Sequence, residues 1–334
     1  VRKIVITGAA GFIGFHLADR LLSSPSGGPV SILGLDGLDD SYDVSLKRER
    51  LALLSRHAGF AFRPLDIAEP EPLAALMRAQ TPDLVVHLAA RAGVRRSLDE
   101  PFAYASANVT GHLSVLEACR RMSRPPRLVY ASSSSVYRGT GLTASAETDV
   151  SDRPASLYAA TKRADELMSE TYAGLFGLEQ VGLRFFTVYG PFGRPDMACW
   201  RFTDKILKGE PIEVYGGGAH WRDFTYVDDI VSGILSVALT PLTLQAERPH
   251  AIYNLGCGRP VRLSAFIDLL EQAIGRPAIR QALPMQPGDV EGTFADIGAI
   301  ARDYGYQPQV PVEEGVRRFV RWFRARYPGG VSAP

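Results

Sequence analysis

Cysteine is scarce in this chain: Cys119, Cys199 and Cys257 are the three in 334 residues. They lie too far apart for a metal-ligand spacing or a disulfide framework, so no metal is expected. Each reads as a small, at least half-buried residue in a reducing compartment such as the cytoplasm. An excess of either charge is also missing. Lys and Arg number 37 against 36 Asp and Glu, a net charge of +1, which gives no basis for binding nucleic acid or a membrane surface. The pairs Arg120-Arg121 and Arg317-Arg318 sit in helical patterns and read as solvated faces. No apolar run approaches the roughly 18 residues that span a bilayer. The chain enters a strand pattern at once, Arg2-Lys3-Ile4-Val5-Ile6-Thr7, so no signal peptide is expected; residue 1 is Val. Internal repeats and low-complexity segments are missing as well.

What is present is the make-up of a globular α/β protein, 46% hydrophobic and 22% charged. At about 150 residues per domain the length suggests two. Short β-rich runs at 2–7, 30–35, 60–65, 83–88, 127–131 and 179–185 alternate with helical patterns at 12–23, 46–56, 70–79, 102–122 and 156–176. The alternation predicts βα units and a doubly wound parallel sheet. Pro25, Gly27, Gly28 and Pro29 break the chain before the second strand. Beyond Tyr189-Gly190-Pro191 the rhythm becomes irregular, with Gly216-Gly217-Gly218 and short helices, as a smaller lobe requires. Two later stretches, 224–230 and 252–255, read as returning to the first domain. The expected division is 1–189, with returning segments at about 223–257, for the first domain. Segments 190–222 and 258–330 then form a smaller α/β substrate lobe, and the end from Gly329 is expected to fray.

The first strand runs into Thr7-Gly8-Ala9-Ala10-Gly11-Phe12-Ile13-Gly14 and then a helix. Glycines there permit a tight turn, close approach of backbone to a pyrophosphate and close helix-on-strand packing. The helix N-terminus offers unpaired N–H groups to the phosphates. The second strand, Ile32-Leu33-Gly34-Leu35-Asp36, ends in an acid 22 residues beyond Gly14, close to the spacing at which a carboxylate bonds the adenosine ribose. That carboxylate repels a 2′-phosphate and no Arg or Lys follows directly, so NAD is favoured over NADP. Asp66-Ile67 follows the third strand at the adenine end, and His87-Leu88-Ala89-Ala90 closes the fourth beside the cofactor. His87 itself reads as a packed strand residue rather than an acid or base.

Tyr158-Ala159-Ala160-Thr161-Lys162 opens a helical pattern, and residues four apart share a helix face. An ammonium beside a phenol whose pKa starts near 10 favours the phenolate. Tyr158 is then an acid/base for a substrate hydroxyl, and Lys162 also holds the nicotinamide ribose. Ser132-Ser133-Ser134-Ser135, just after the fifth strand, bring hydroxyls to the same cleft.

Together these residues resemble the extended short-chain dehydrogenase/reductase family, from Lys3 to about Tyr327. The likeness is nearest to its NAD-dependent sugar-nucleotide epimerases and, among them, to UDP-glucuronate 4-epimerases. It is carried by segments 41–47 (Ser-Tyr-Asp-Val-Ser-Leu-Lys), 92–95, 156–162, 184–191, 193–198, 222–229 and 285–290. The resemblance implies a Ser/Thr–Tyr–Lys triad of Ser133, Tyr158 and Lys162, and a first domain that holds NAD permanently. It implies cofactor contacts at Gly8, Gly11, Phe12, Ile13, Gly14, Asp36, Asp66, Ile67, Leu88, Ala89, Ala90, Asn108, Tyr158 and Lys162. It implies UDP-sugar contacts at Arg95, Ser133, Ser134, Ser135, Tyr158, Thr187, Arg194, Val214, Arg222 and Asp289. The Arg222 fork suits a diphosphate, the alternative being a surface ion pair. Related enzymes dimerise through helices corresponding to 102–122 and 156–176, so a homodimer is expected.

Three positions select among the related chemistries. Dehydratases and UDP-glucuronate decarboxylases carry an acid just before the Val-Tyr pair, where this chain has Ser135; a dehydratase also expects Asp where Ser134 stands. Both readings weaken. Galactose-type epimerases usually have Asn where this chain has Thr187, and Thr187 with Ser133, Ser134 and Arg194 suits a C6 carboxylate. Oxidising C4 of glucuronate gives a β-keto acid, which loses CO₂ when the carboxylate bond stands perpendicular to the carbonyl plane. Hydrogen bonds that hold the carboxylate otherwise suppress that loss. The expected activity is thus C4 epimerisation of UDP-glucuronate to UDP-galacturonate through a 4-keto sugar. The alternatives are a neutral UDP-hexose 4-epimerase, a UDP-glucuronate decarboxylase and a non-catalytic NAD-sensing protein, the last disfavoured by the Tyr158/Lys162 pair. Arg91, Arg96 and Arg138 depart from the usual pattern near the cleft, replacing a Gln, an aromatic and a Gly.

Overall fold

Strand β1 (Arg2–Thr7) shows how the sheet comes to be covered on both faces. Successive strand residues point to opposite sides: Ile4 and Ile6 enter one apolar core and Val5 the other. Strand β4 (Leu84–His87) repeats the division with Leu84 and Val86 on one side and Val85 on the other. Runs apolar at every position are the mark of a parallel sheet between two helical layers. The computed structural model describes residues 1–24, 28–137, 143–149, 151–240, 249–284 and 291–331.

In chain order the nucleotide half runs β1, α1 (Phe12–Ser23), β2 (Val30–Asp36), α2 (Val44–Leu54), β3 (Phe60–Pro64), α3 (Pro70–Gln80), β4, α4 (Arg96–Asp99), α5 (Pro101–Tyr104), a π-helical turn (Ala105–Thr110), α6 (Gly111–Arg120), β5 (Arg127–Ser133), α7 (Leu157–Phe176) and β6 (Gln180–Phe185). There follow β7 (Thr187–Tyr189), α8 (Ala198–Lys208), β8 (Pro211–Tyr215), β9 (Trp221–Tyr226), α9 (Val227–Leu239), β10 (His250–Leu255), β11 (Pro260–Arg262), α10 (Leu263–Ile274), β12 (Ile279–Leu283), β13 (Gly292–Thr293), α11 (Gly298–Tyr304) and α12 (Val312–Arg326).

The main sheet has seven parallel strands in the order β3-β2-β1-β4-β5-β6-β10. This is the doubly wound, Rossmann-type α/β fold. The winding reverses between β1 and β4, and a crevice opens there beyond the carboxyl ends of the strands, where such sheets bind ligands. A four-stranded sheet of β7, β9, β11 and β13, and the pair β8–β12, build the smaller lobe.

Two expectations need adjustment. Residues 102–122, read as one helix, are helical from Pro101 to Arg120 with a π turn set between α5 and α6. A π turn holds an extra residue, which an averaged helical period does not register. Of the two stretches read as returning, 252–255 lies in β10 beside β6, whereas Phe224–Tyr226 lies in the smaller sheet against β7. Phe224 is drawn there by Phe266 of α10, whose ring stacks on it at 3.9 Å. Helix α9, which follows, does return, packing on α1.

Candidate active site

The glycine-rich turn lies where the winding reverses. Gly8 has φ +72, and a Cβ there would stand 2.7 Å from the Ala89 nitrogen; a Cβ on Gly14 would stand 2.2 Å from the Gly8 carbonyl. Only glycine fits either place. Gly11 is the N-cap of α1 and brings no side-chain cap, and the first turn at Phe12 and Ile13 contains no acid. The leading amides of α1 therefore remain open to an anion. Phe12 itself is buried and Ile13 half-buried, so any part they play toward phosphate is through the backbone.

Asp36 closes β2 opposite this turn. Its carboxylate accepts the Ala10 N–H at 3.2 Å and the Leu38 N–H at 2.8 Å. Lys47, buried on α2, stands 3.6 Å from it and donates to Asp39 at 2.8 Å. Burial opposes the Lys47 charge, yet the Asp36 and Asp39 carboxylates hold its pKa above the ordinary value. A cation already shared by two carboxylates is not free for a 2′-phosphate, so the set fits NAD. Sequence reasoning missed this role of Lys47; position 47 looks like one more charge on a polar helix.

Asp66 is exposed and accepts the Ala68 N–H at 2.9 Å. Ile67 is turned inward against Gly111 of α6, so its side chain does not face the crevice. Leu88 and Ala89 donate their N–H groups to the Thr7 carbonyl and hydroxyl. His87 is buried, 2.7 Å from the Thr7 hydroxyl, and burial, aided by Lys162, pushes its pKa down to about 3. It is a neutral strand residue. Asn108 is buried with its amide wholly committed: it accepts the Arg91 N–H at 2.8 Å and donates to the Arg91 carbonyl and the Thr161 hydroxyl. Asn108 thus braces the wall between the fourth strand's loop and α7.

Helix α7 is capped by Ser156, which accepts the Ala159 N–H at 3.1 Å. Tyr158 is half-buried at its start, with its own N–H on the Ser97 hydroxyl at 3.2 Å and its ring edge-on to Tyr104 at 6.3 Å. Lys162 lies one turn on, buried, its Nζ donating to the Ala131 carbonyl at 3.1 Å and to Asp165 at 3.0 Å. Ser133 ends β5 and caps the short turn Ser134–Val136, with its hydroxyl accepting the Ser135 N–H at 3.1 Å. Ser134 and Ser135 are half-buried beside it.

On the other side, Thr187 begins β7, two residues beyond Phe185, the register partner of Ser133. Arg194 donates to the Ala92 carbonyl at 3.1 Å and grips Asp196 at 3.0 and 2.5 Å. Burial opposes its charge, but Asp196, and then Tyr158 and Tyr42, hold its pKa above the ordinary value. Arg95 reaches the smaller lobe, its guanidinium 4.7 Å over the Tyr215 ring. Arg222 lies half-buried on β9 and donates to the Trp221 carbonyl at 2.7 Å. Val214 is buried in the lobe's core, so its side chain packs there and not in the crevice. Asp289 and Arg138 lie outside the described residues. Arg91 and Arg96 both bond Glu100, at 2.5 and 2.9 Å, a pairing the sequence did not reveal.

These features coincide with a family pattern. Residues 4–256 match the model of the NAD dependent epimerase/dehydratase family. The chain belongs to that family. A probable UDP-glucuronate 4-epimerase of Rhizobium meliloti is 43% identical over 97% of this chain and 98% of that protein. The structure of UDP-glucuronic acid 4-epimerase from Bacillus cereus, in complex with UDP-glucuronic acid and NAD, is 32% identical. It superposes with a TM-score of 0.88 over 97% of this chain and 100% of that one. A dTDP-glucose 4,6-dehydratase from Streptomyces venezuelae reaches a TM-score of 0.89 at 27% identity, over 98% of both chains. Backbone shape alone therefore does not separate epimerase from dehydratase, and the side chains around Tyr158 must.

Proposed function

We propose that this chain inverts C4 of UDP-glucuronate, giving UDP-galacturonate, with NAD as its resident cofactor. One observation carries the choice. β5 ends in Ser133-Ser134-Ser135 with no acid where elimination or decarboxylation needs one, while Arg194 stands across the crevice near Tyr158. Likeness to the Rhizobium and Bacillus proteins supports the same reading.

In this reading Gly8, Gly11, Gly14 and the α1 amides would hold the NAD pyrophosphate, Asp36 the adenosine ribose and Lys162 the nicotinamide ribose. Bound NAD⁺ supplies the acceptor, and then the donor, for the C4 hydride. Tyr158 takes the proton of the 4-hydroxyl and later returns it, with Ser133 bonding the same oxygen. Thr187 and Ser134 fix the C6 carboxylate in an orientation from which the 4-keto acid does not lose CO₂, and Arg194, whose Nε and Nη2 are engaged by Asp196, adds its charge from the side of its remaining nitrogen. Arg222 and Arg95 serve the diphosphate. Incubation with UDP-glucuronate, followed by NMR, should show UDP-galacturonate; a pentose product or no product overturns the proposal. Parallel assay of UDP-glucose tests the neutral-hexose alternative. Tyr158→Phe should abolish turnover while NAD stays bound.

The assembly proposed is a homodimer. Phe102 is 89% exposed and Leu175 71%, and Leu98, Leu113 and Leu167 add to them. All lie on α4, α5, α6 and α7, exposed apolar side chains that a second copy would cover. The NAD half is proposed to comprise the main sheet with its helices, and the smaller sheets the UDP-sugar half. The three cysteines are unpaired, in keeping with a cytoplasmic location. Among the described residues no helix is long and apolar enough to cross a membrane.

A further inference from the structure

Helix α7 buries two neighbouring carboxylates, and they are treated very differently. Glu166 is fully paired: its oxygens accept from Arg184, Arg163 and the Ser132 hydroxyl. Asp165 has no exposed surface, and its Oδ2 accepts from Lys162 at 3.0 Å. Its second oxygen, Oδ1, is buried with no hydrogen-bond partner. A half-satisfied buried carboxylate costs stability relative to a neutral residue of the same shape. Burial pushes its pKa up to about 6 against the opposing pull of Lys162. Structural support does not account for an acid in this place.

The groups around it leave a single cation to face. His87 from β4 and His112 from α6 are buried, and burial drives both toward the neutral form. Tyr130 from β5 is a buried phenol pushed well above its ordinary range by burial, and Glu166 on α7 is spent on Arg184. Lys162 has three N–H donors. The Ala131 carbonyl and Asp165 take two, leaving one. Tyr158 stands one turn earlier on the same helix, at the four-residue spacing that shares a face.

We propose that Asp165 is a positioning residue for the Tyr158–Lys162 couple: it tethers the ammonium from behind, and its charge sets how readily Tyr158 gives up its proton. A carboxylate 3.0 Å from Nζ offsets part of the cation that favours the phenolate. Taking that charge away while keeping the tether leaves Lys162 uncompensated, and Tyr158 should then ionise at lower pH.

The proposal rests on Tyr158 as the acid/base, and its test separates the two. Ultraviolet titration of tyrosinate, taken as the difference between a protein and its own Tyr158→Phe partner, reads Tyr158 without any substrate. Asp165→Asn should move that midpoint down by about one pH unit, and the acid limb of kcat against pH should move with it. Asp165→Ser, neutral but too short to tether, should move the midpoint the same way and lose kcat roughly tenfold or more, with KM for UDP-glucuronate little changed. Should Asp165→Asn fail to fold, Asp165→Ser decides the midpoint alone. A midpoint unmoved, or moved upward, overturns the role of Asp165. Absence of any UDP-glucuronate turnover by the unaltered chain overturns the functional reading, while the titration still reports on Asp165.

Discussion

The guanidinium of Arg50 donates to the Ala10 carbonyl at 2.8 Å, tying helix α2 to the glycine-rich turn from a position with no exposed surface. The same side chain donates to the Phe192 carbonyl at 2.6 Å and the Tyr42 hydroxyl at 2.6 Å. It thereby joins the dinucleotide turn to the segment that leads into the smaller lobe and to Arg194. No carboxylate pairs with it among the described residues, so its bonds are to oxygens of fixed backbone and one phenol. A planar fork can serve these at once, and a lysine cannot.

Arg50→Lys should therefore weaken both the fold and the grip on NAD. Losing one or two charge-assisted bonds is expected to cost about 2–4 kcal/mol. Urea unfolding and the NAD content of purified protein are the measurements. Stability within about 0.5 kcal/mol of the parent, with full NAD content, would contradict the staple.

The Glu166–Arg184 pair makes a second, separate prediction. Arg184 Nε and Nη2 each lie 2.8 Å from the carboxylate, and Nη1 donates to Tyr137 at 2.6 Å, which donates on to Asn254. The Ser132 hydroxyl, one residue before Ser133, bonds the same carboxylate at 2.6 Å. Glu166→Gln leaves the guanidinium buried and uncompensated, at a cost of about 3–5 kcal/mol. Replacing both partners, Glu166→Leu with Arg184→Met, should recover part of that in thermal unfolding. If the double variant is as unstable as the sum of the singles, the pair is not the cause.

These networks show where the sequence could be read and where it could not. The glycine turn, Asp36 and the Tyr158-to-Lys162 spacing are local patterns, visible without knowing what lies across the crevice. The parallel strands were legible because both faces are buried, which leaves continuous apolar runs. Arg50, Lys47, Asp165 and Glu166 sit among charged residues on helices, and such positions are ordinarily assigned to solvent. Their burial depends on partners far along the chain, Phe192 and Arg184 among them. The burial of the Val214 and Ile67 side chains in apolar clusters is likewise a matter of tertiary packing. The bonds of Asn108 to Arg91 and Thr161, made from within a π turn, leave no trace in a helical period.

Glu100 is expected to govern NAD release. It holds Arg91 and Arg96, while Arg96 also donates to the Ser41 carbonyl at 2.5 Å and Arg91 lies 4.0 Å from Asp39. These contacts join the loop after β2 to the loop after β4, the two that flank the cofactor crevice. Partly exposed ion pairs contribute about 0.2–1 kcal/mol each, so Glu100→Gln should release NAD roughly two- to tenfold faster. High salt should speed release from the parent and have little further effect on the variant, since screening acts on the pairs already removed. NAD remaining after rapid gel filtration, measured against time, reads both. Equal release rates at low salt would refute the clasp.

Acid should unfold this protein before its carboxylates are exhausted. His87 and His112 are buried, and burial lowers the pKa of His87 to about 3 and that of His112 well below 6.5. Below about 6.5 the unfolded chain takes up protons that the folded chain refuses, so the folded state loses ground as pH falls from about 6.5 toward 3. For His87 the whole difference corresponds to roughly 5 kcal/mol. Asp165 acts in the other direction, its raised pKa favouring the folded state as pH falls through about 6; burial raises Glu147, Asp223 and Asp229 in the same sense, while His16 and His250, lowered by burial, add to the two histidines. His87→Asn keeps a polar group for the Thr7 hydroxyl and removes the titration. Its stability in urea should fall less steeply between pH 6 and 4.5, by up to about 1.4 kcal/mol per pH unit. A slope identical to that of the parent would mean that His87 takes up its proton within the fold.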